Sequence, residues 1–135
     1  MRRVDDRRLR DLPLFSSLGG RELRKIAGYA DEVDVREGQE LLRQGNFAHE
    51  FMVVLEGRAD VVRDGQSIAE LGPGDFLGEI AVLEGGSRTA TVVARSPMAL
   101  AVMTDRDLRQ IAREMPEVDA PLRAAAREHC PISAA

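Results

Sequence analysis

The stretch FLGEIAVLEGGSRTATV, residues 76–92, decides how this chain is interpreted. Most of its side chains are apolar, yet Glu79 and Arg88 stand inside it, nine positions apart. Charged side chains are rarely placed in apolar surroundings unless a partner satisfies them. Two explanations are open: the residues form a structural ion pair, or they hold two ends of one ligand. A buried ion pair alone is weak evidence for stability, because desolvation can cancel the attraction.

Small residues around the charged pair favour a ligand. Gly78 allows close backbone approach before Glu79, and residues 79–84 can form a single helical turn with free amides at its start. In the loop 85–87, glycine and serine N–H groups can converge into a concavity. Free amides, such a loop and one arginine make a phosphate-sized anion site. A carboxylate beside it can accept a ribose hydroxyl, so the stretch suits a ligand with one phosphate and one ribose hydroxyl.

The composition is that of an ordinary globular protein of one domain. The 135 residues are 44% hydrophobic and 31% charged. The net charge of −4 argues against bulk attraction to nucleic acid or an anionic membrane. Five arginines within residues 2–10 are typical of a solvated helix face. With no signal-peptide pattern, no membrane-spanning run and a single cysteine, Cys130, the sequence predicts a cytoplasmic location.

Helical patterns flank a middle segment that reads as short strands. Residues 4–11 and 16–30 have helical character, whereas residues 31–104 contain strand-like runs with turn signals every eight to twelve residues. The pair Asp64-Gly65 is a hairpin signal between two such runs. About eight short strands with regular turns predict a sandwich, a jelly roll or a small barrel.

Two further helices are predicted near the end of the sequence. Residues 106–115 carry an apolar stripe at helical spacing, and Thr104 or Asp105 can cap them. The segment 117–129 is also helical in pattern, but Pro121 lies inside it. This last helix is therefore expected to be short and kinked.

The segment GDFLGEIAVLEGGSRTATVVA (74–94) resembles the phosphate-binding cassette of the cyclic nucleotide-binding domain family. The family pattern is F-G-E-hydrophobic-A-L-hydrophobic, a short loop, and then R-[ST/A]-A-T-V. The resemblance extends along the chain. Residues 12–27 are similar to the family's N-terminal helical segment, residues 35–61 to its glycine-punctuated strands, and residues 104–118 to its first C-terminal helix.

The resemblance implies a mainly β fold with flanking helices. It is an eight-stranded jelly-roll β-barrel with N-terminal helices and a C-terminal helix pair. Accordingly, residues 1–135 are expected to form a single domain. Residues 1–30 hold the N-terminal helices, 31–104 the β-roll with its cassette at 76–92, and 105–135 the C-terminal helices.

The resemblance also implies a role for each matching cassette residue. Glu79 accepts a hydrogen bond from the ribose 2′-hydroxyl, and Arg88 pairs with the cyclic phosphate. The backbone amides of Ile80 and Ala81 donate to the phosphate oxygens, and Gly78 permits their close approach.

Four more residues are implicated in recognising the base and sugar. Thr89 follows the arginine and can bond the phosphate or a guanine amino group, which is compatible with cyclic GMP and does not exclude cyclic AMP. Val61, Ala69 and Leu71 are expected on the base or ribose side, although a role in the strand core alone also fits them.

The implied function is a non-enzymatic sensor that binds cyclic AMP or cyclic GMP and requires no cofactor. Ligand binding would be relayed through the helices at 105–129 to a protein partner or an output domain. No direct contact with nucleic acid or membrane is expected. Whether the chain forms a homodimer is left open by the sequence, because Pro121 and Pro131 interrupt the helix that mediates dimerisation in DNA-binding relatives.

Two alternatives remain beside the sensor. One is a ligand-free interaction module of the same fold. The other is a fragment of a transcription regulator of the catabolite activator type, without its DNA-binding domain. A phosphodiesterase is disfavoured, because that chemistry needs a metal-activated water or a positioned base. The two histidines, His49 and His129, are too few for a His-rich metal site.

Overall fold

The computed structural model describes most of the chain. The described residues are 2–12, 15–16, 18–43, 45, 50–77, 90–117, 120 and 124. Their strands are β1 (Arg2–Arg3), β2 (Asp31–Val35), β3 (Glu40–Leu42), β4 (Glu50–Glu56), β5 (Ala59–Arg63), β6 (Gln66–Leu71), β7 (Phe76–Leu77), β8 (Thr91–Ala94) and β9 (Met98–Thr104). Their helices are α1 (Asp6–Arg10), α2 (Gly20–Tyr29) and α3 (Asp105–Glu114).

The strands form two antiparallel sheets. Sheet I has the order β1-β2-β9-β4-β7, and sheet II has the order β3-β8-β5-β6. The eight strands β2 to β9 make the roll, and the two-residue β1 extends one edge of sheet I. This confirms the predicted mainly β, jelly-roll-like fold with flanking helices.

Sheet I is covered on both faces, which explains the long apolar runs in its central strands. Along β4, Phe51 and Val53 face a core shared with the helices, whereas Met52 and Val54 face the space between the sheets. Successive side chains of a strand point to opposite faces, so five consecutive residues of β4 are buried. In sheet II only alternate residues of β8 are buried.

The helices pack their apolar stripes on the outer face of sheet I. On α2 the buried residues are Leu23, Ile26 and Ala27, and on α3 they are Leu108 and Ile111. All five belong to one core cluster with residues of β4, β7 and β9. In the described part of the chain, none of the helices has the length and apolar character needed to cross a membrane.

The helix boundaries refine the sequence prediction. Of the two proposed caps, Thr104 is the one used: its hydroxyl accepts from the Asp107 amide at 3.1 Å, and the Asp107 carboxylate accepts from the Thr104 amide at 3.0 Å. The helix predicted over 16–30 begins only at Gly20. The second C-terminal helix, predicted over 117–129, lies mostly outside the described residues.

Arg8 departs from the expected solvated face. Arg7 is exposed and pairs with Asp5 at 2.8 Å, as a surface residue would. Arg8 instead reaches Glu32 on β2 at 2.6 Å and Glu56 on β4 at 2.7 Å, and the Glu32 side chain is only 10% exposed. Arg8 therefore fastens α1 to two strands of sheet I.

Candidate functional site

Six predicted site residues lie outside the described residues: Gly78, Glu79, Ile80, Ala81, Arg88 and Thr89. The structure does describe the two ends of the cassette: β7 at its beginning and β8 at its end form the frame of the loop 78–89 between them. The three weaker candidates, Val61, Ala69 and Leu71, are described and lie on sheet II. The described geometry of the site is therefore that of β7, β8 and the strands that pair with them.

The entry to the cassette belongs to sheet I. Phe76 and Leu77 form β7, which pairs with β4 through the partners Val53 and Met52. Both β7 side chains are 1% exposed, and they point into different cores. Phe76 packs in the core shared with the helices, whereas Leu77 packs between the sheets. Thus the chain enters the cassette from a strand that is fixed on both faces.

The exit from the cassette belongs to sheet II. Strand β8 lies between β3 and β5, and its residue Val92 pairs with Leu42 on one side and Val61 on the other. Ala90, just before β8, is 2% exposed and packs in the same inter-sheet core as Leu77. The cassette therefore connects the two sheets, and both of its described ends are buried in one core.

The three weaker candidates form a patch beside the exit strand. Val61 pairs with Ala69 on β6 as well as with Val92, and Leu71 lies two residues further along β6, opposite Ala59. Val61 and Leu71 are 0% and 2% exposed and pack in the inter-sheet core. Ala69 is only partly buried against that core. Of the three, Ala69 offers the accessible surface.

Sequence reasoning did not single out Leu42 and Val92, which complete this patch. Leu42, Val92, Val61 and Ala69 lie in one row across sheet II, because each pairs directly with the next. The alternation in TATVVA indicates which residues of β8 face the core. Predicting the row, however, also requires the order of the strands in sheet II. That order joins strands that are distant along the chain.

The outer face of sheet II carries charge that does not belong to the patch. Asp60 accepts from the Ser67 hydroxyl at 2.5 Å and from Arg95 at 3.0 Å. The Ser67 hydrogen bond, followed by that of Arg95, lowers the pKa of Asp60 below its ordinary value. Since Asp60 follows the inward-facing Ala59, alternation places it on the opposite face.

Within the described ranges, no group of three or more His, Cys, Asp or Glu side chains has an arrangement that could hold a metal ion. His49 and His129 both lie outside those ranges.

The fold and its frame define a β-sandwich whose two sheets are joined by a glycine-containing connection. Residues 32–115 match the family model described as "Cyclic nucleotide-binding domain". This range runs from β2 to the residue after α3 and includes every predicted site residue. The chain belongs to the cyclic nucleotide-binding domain family, whose β-sandwich is a regulatory fold.

Individual relatives agree with this assignment. The chain is 34% identical over 94 residues to a cAMP-dependent protein kinase regulatory subunit of Schizosaccharomyces pombe, covering 69% of the chain and 23% of the relative. Among solved structures, the N-terminal domain of a Streptomyces coelicolor A3(2) transcriptional regulator is 29% identical with a TM-score of 0.78, covering 90% of each chain. The catabolite activator protein of Thermus thermophilus is 28% identical with a TM-score of 0.77, covering 86% of this chain and 57% of that one.

The chain spans about a quarter of the length of the yeast kinase subunits that it matches. The match therefore establishes the domain, and the activities and partners of those longer proteins do not follow from it.

Proposed function

We propose that the chain binds cyclic AMP or cyclic GMP in its cassette and acts as a non-catalytic sensor. The observation that carries this proposal is the frame: the segment with Glu79 and Arg88 joins two sheets, and its described ends, Leu77 and Ala90, are buried in one core. A ligand held there would contact both sheets. The membership of residues 32–115 in a cyclic nucleotide-binding family supports the same conclusion.

The proposed chemistry divides the ligand between two charged side chains. Arg88 pairs with the cyclic phosphate, while the amides of Ile80 and Ala81 donate to its oxygens. Glu79 accepts from the ribose 2′-hydroxyl, and Gly78 allows the phosphate to approach the backbone. Hydrogen bonds to charged groups contribute about 1.5–3 kcal/mol each, so the phosphate contacts supply much of the affinity.

Recognition of the base is proposed to involve sheet II. Val61, Ala69 and Leu71 form one patch beside β8, and Ala69 is its accessible member. Thr89 can bond the phosphate or a guanine amino group, so we propose that it contributes to any preference for cyclic GMP. Ala69, the accessible member, is apolar and would contact either base.

The relay to the C-terminal helices is proposed to pass through Phe76. This residue stands one position before the last described residue of the entry, and its ring packs in the same core as Leu108 and Ile111 of α3. A shift of β7 on binding would change the surface that α3 rests on. A ligand moves such an equilibrium only by its different affinity for the two arrangements. A protein partner or an output domain would then read the position of α3.

Equilibrium dialysis against cyclic AMP and cyclic GMP tests this proposal. Wild type is expected to bind at least one nucleotide saturably. Arg88→Ala is expected to lose about 1.5–3 kcal/mol of binding free energy, a loss of roughly ten- to hundredfold in affinity. Glu79→Gln should also weaken binding. Each variant is first checked for native circular dichroism.

The matched control is Arg36→Ala, which removes an exposed arginine from the turn after β2. It should bind as wild type does. Wild-type affinity in a folded Arg88→Ala would contradict the assigned role. Absence of saturable binding in wild type would instead favour an interaction module of the same fold.

A further inference from the structure

The four residues Gly72-Pro73-Gly74-Asp75 form a turn that closes on itself immediately before the cassette. The Asp75 carboxylate accepts from the Gly72 amide at 2.8 Å, and the Asp75 amide donates back to the Gly72 carbonyl at 3.1 Å. Gly74 has a φ of +92°, which L-residues with a side chain rarely adopt. The side chain of Asp75 thus joins the two ends of a turn that its own backbone also closes.

The same turn is fastened to β4 by two backbone hydrogen bonds. The Gly74 amide donates to the Val54 carbonyl at 2.8 Å, and the Val54 amide donates to the Asp75 carbonyl at 2.8 Å. The ladder then continues through β7, where Phe76 and Leu77 pair with Val53 and Met52. The path from the turn to the last described residue before Gly78 is therefore hydrogen-bonded to one strand.

We propose that Asp75 is a positioning residue for the nucleotide site, which rests on the proposed function above. A phosphate held by backbone amides needs those amides at fixed positions, because a small displacement lengthens several hydrogen bonds together. The amides of the loop 78–89, which are proposed to bind the phosphate, follow Leu77 directly along the chain. The Asp75 carboxylate holds the turn together, and the turn holds β7 against β4. The position of β7 then sets where the loop 78–89 begins.

A purely structural role for Asp75 makes a different prediction. In that case removal of the carboxylate lowers the stability of the whole domain, while the affinity of the folded fraction is unchanged. In the positioning role the hydrogen bond matters rather than the charge. Asparagine keeps a side-chain oxygen that can accept from the Gly72 amide, so Asp75→Asn should behave like wild type and Asp75→Ala should not.

The test is calorimetric titration of the full chain with cyclic AMP and with cyclic GMP. Asp75→Ala is expected to bind roughly tenfold more weakly than wild type, and Asp75→Asn within about twofold. The matched control is Asp5→Ala. It removes the same kind of bond, from the Arg7 amide to the Asp5 carboxylate at 2.9 Å, but at the N-cap of α1, and it should leave the affinity unchanged.

A second readout needs no ligand and separates this inference from the proposed function. Hydrogen exchange of the Val54 and Gly74 amides should accelerate in Asp75→Ala, because the turn that holds both of them loosens. The same amides in Asp5→Ala should exchange as in wild type. If wild type binds no nucleotide, the proposed function fails and the claim about binding fails with it.

Three results would overturn the inference while wild type still binds. They are wild-type affinity in Asp75→Ala, affinity in Asp75→Asn as weak as in Asp75→Ala, and unchanged exchange of the Val54 and Gly74 amides.

Discussion

The rings of Phe51 and Phe76 stack with their centroids 5.9 Å apart and 27° between their planes. Phe51 lies on β4, and Phe76 lies on the neighbouring strand β7, which leads into the loop 78–89. Both belong to the core that α2 and α3 cover. The stack therefore joins the entry of the candidate site to the helices.

Truncation of Phe76 should be among the costly single changes in this domain. The side chain is 1% exposed, and Phe→Ala in a packed core costs about 3–5 kcal/mol. Because that is a large fraction of the stability of a small domain, Phe76→Leu provides a milder companion variant. Urea unfolding should give a large loss for Phe76→Ala and a smaller one for Phe76→Leu.

The control for this prediction is Ile68→Ala on β6. Ile68 is 42% exposed, and substitutions at such surface positions usually stay within about 0.5 kcal/mol. Similar losses at positions 76 and 68 would contradict the packing assigned to Phe76.

Enlargement of Ala69 should weaken nucleotide binding more than it changes stability. Ala69 is half-buried beside Val61, so Ala69→Leu adds volume where the base or ribose is proposed to lie. We expect higher dissociation constants for both nucleotides, measured by titration, with a nearly unchanged unfolding midpoint. Ile68→Leu, at the exposed position next to it on β6, is the matched control. Unchanged affinity in Ala69→Leu would remove this patch from the site.

Two glycines with similar backbone angles should respond differently to alanine. Gly57 has a φ of +94° and Gly38 a φ of +88°. At Gly38 a new Cβ would meet open space, whereas at Gly57 it would collide with the Pro97 carbonyl oxygen and lie 2.7 Å from Met98 Cγ. Gly38→Ala should cost about 1–2 kcal/mol from the backbone angle alone.

Gly57→Ala should cost more than Gly38→Ala, because backbone atoms must also move. Chemical denaturation of the two variants measures the difference. Equal losses would show that the turn at Gly57 relaxes around the added methyl group.

The side chains of Tyr29 on α2 and Glu114 on α3 shift each other's pKa. Gln110, which donates to the Glu114 carboxylate at 2.8 Å, and then the Tyr29 hydroxyl lower the pKa of Glu114 below its ordinary 4.5. The Glu114 carboxylate in turn raises the pKa of Tyr29 above its ordinary 10.0. The carboxylate's contribution to stability is therefore present above pH 4.5 and lost as the pH falls through its lowered pKa. The phenol's contribution is present below pH 10.0 and lost as the pH rises through its raised pKa.

Tyr29→Phe tests this connection. An NMR titration of the Glu114 carboxyl should show its pKa moving upward, yet still below the ordinary value because Gln110 remains. Gln110→Ala should move it further, since that hydrogen bond is the larger cause. A pKa of Glu114 that is identical in wild type and Tyr29→Phe would mean that the two helices are not joined through this pair.

Much of the fold followed from patterns that are local in the sequence. The turn signals located the strands between residues 31 and 104, and Thr104 capped the helix that its position predicted. The start of α2 and the role of Arg8 were not predictable in this way. Arg8 finds Glu32 and Glu56 only after β2 and β4 have been brought together. Contacts between distant segments depend on strand order, which alternation does not encode.

In the candidate site, too, features that are local in the sequence were predictable, and features that depend on distant contacts were not. Glu79 and Arg88 were found because charge within an apolar run is conspicuous in any single sequence. The sequence signals a turn at residues 70–75, but the role of Asp75 in it was not found, because that role comes from the hydrogen bonds that Gly74 and Asp75 exchange with Val54. Those bonds link residues about twenty positions apart.

The most direct test of the central claim is calorimetric titration of the purified, folded chain with cyclic AMP, cyclic GMP and linear 5′-AMP. Two temperatures are used, because burial of apolar surface changes the heat of binding with temperature and the heat can vanish at one of them. We predict saturable binding of about one cyclic nucleotide per chain and weaker binding of 5′-AMP. No saturable heat from either cyclic nucleotide at both temperatures would contradict the account and leave Glu79 and Arg88 as a structural pair.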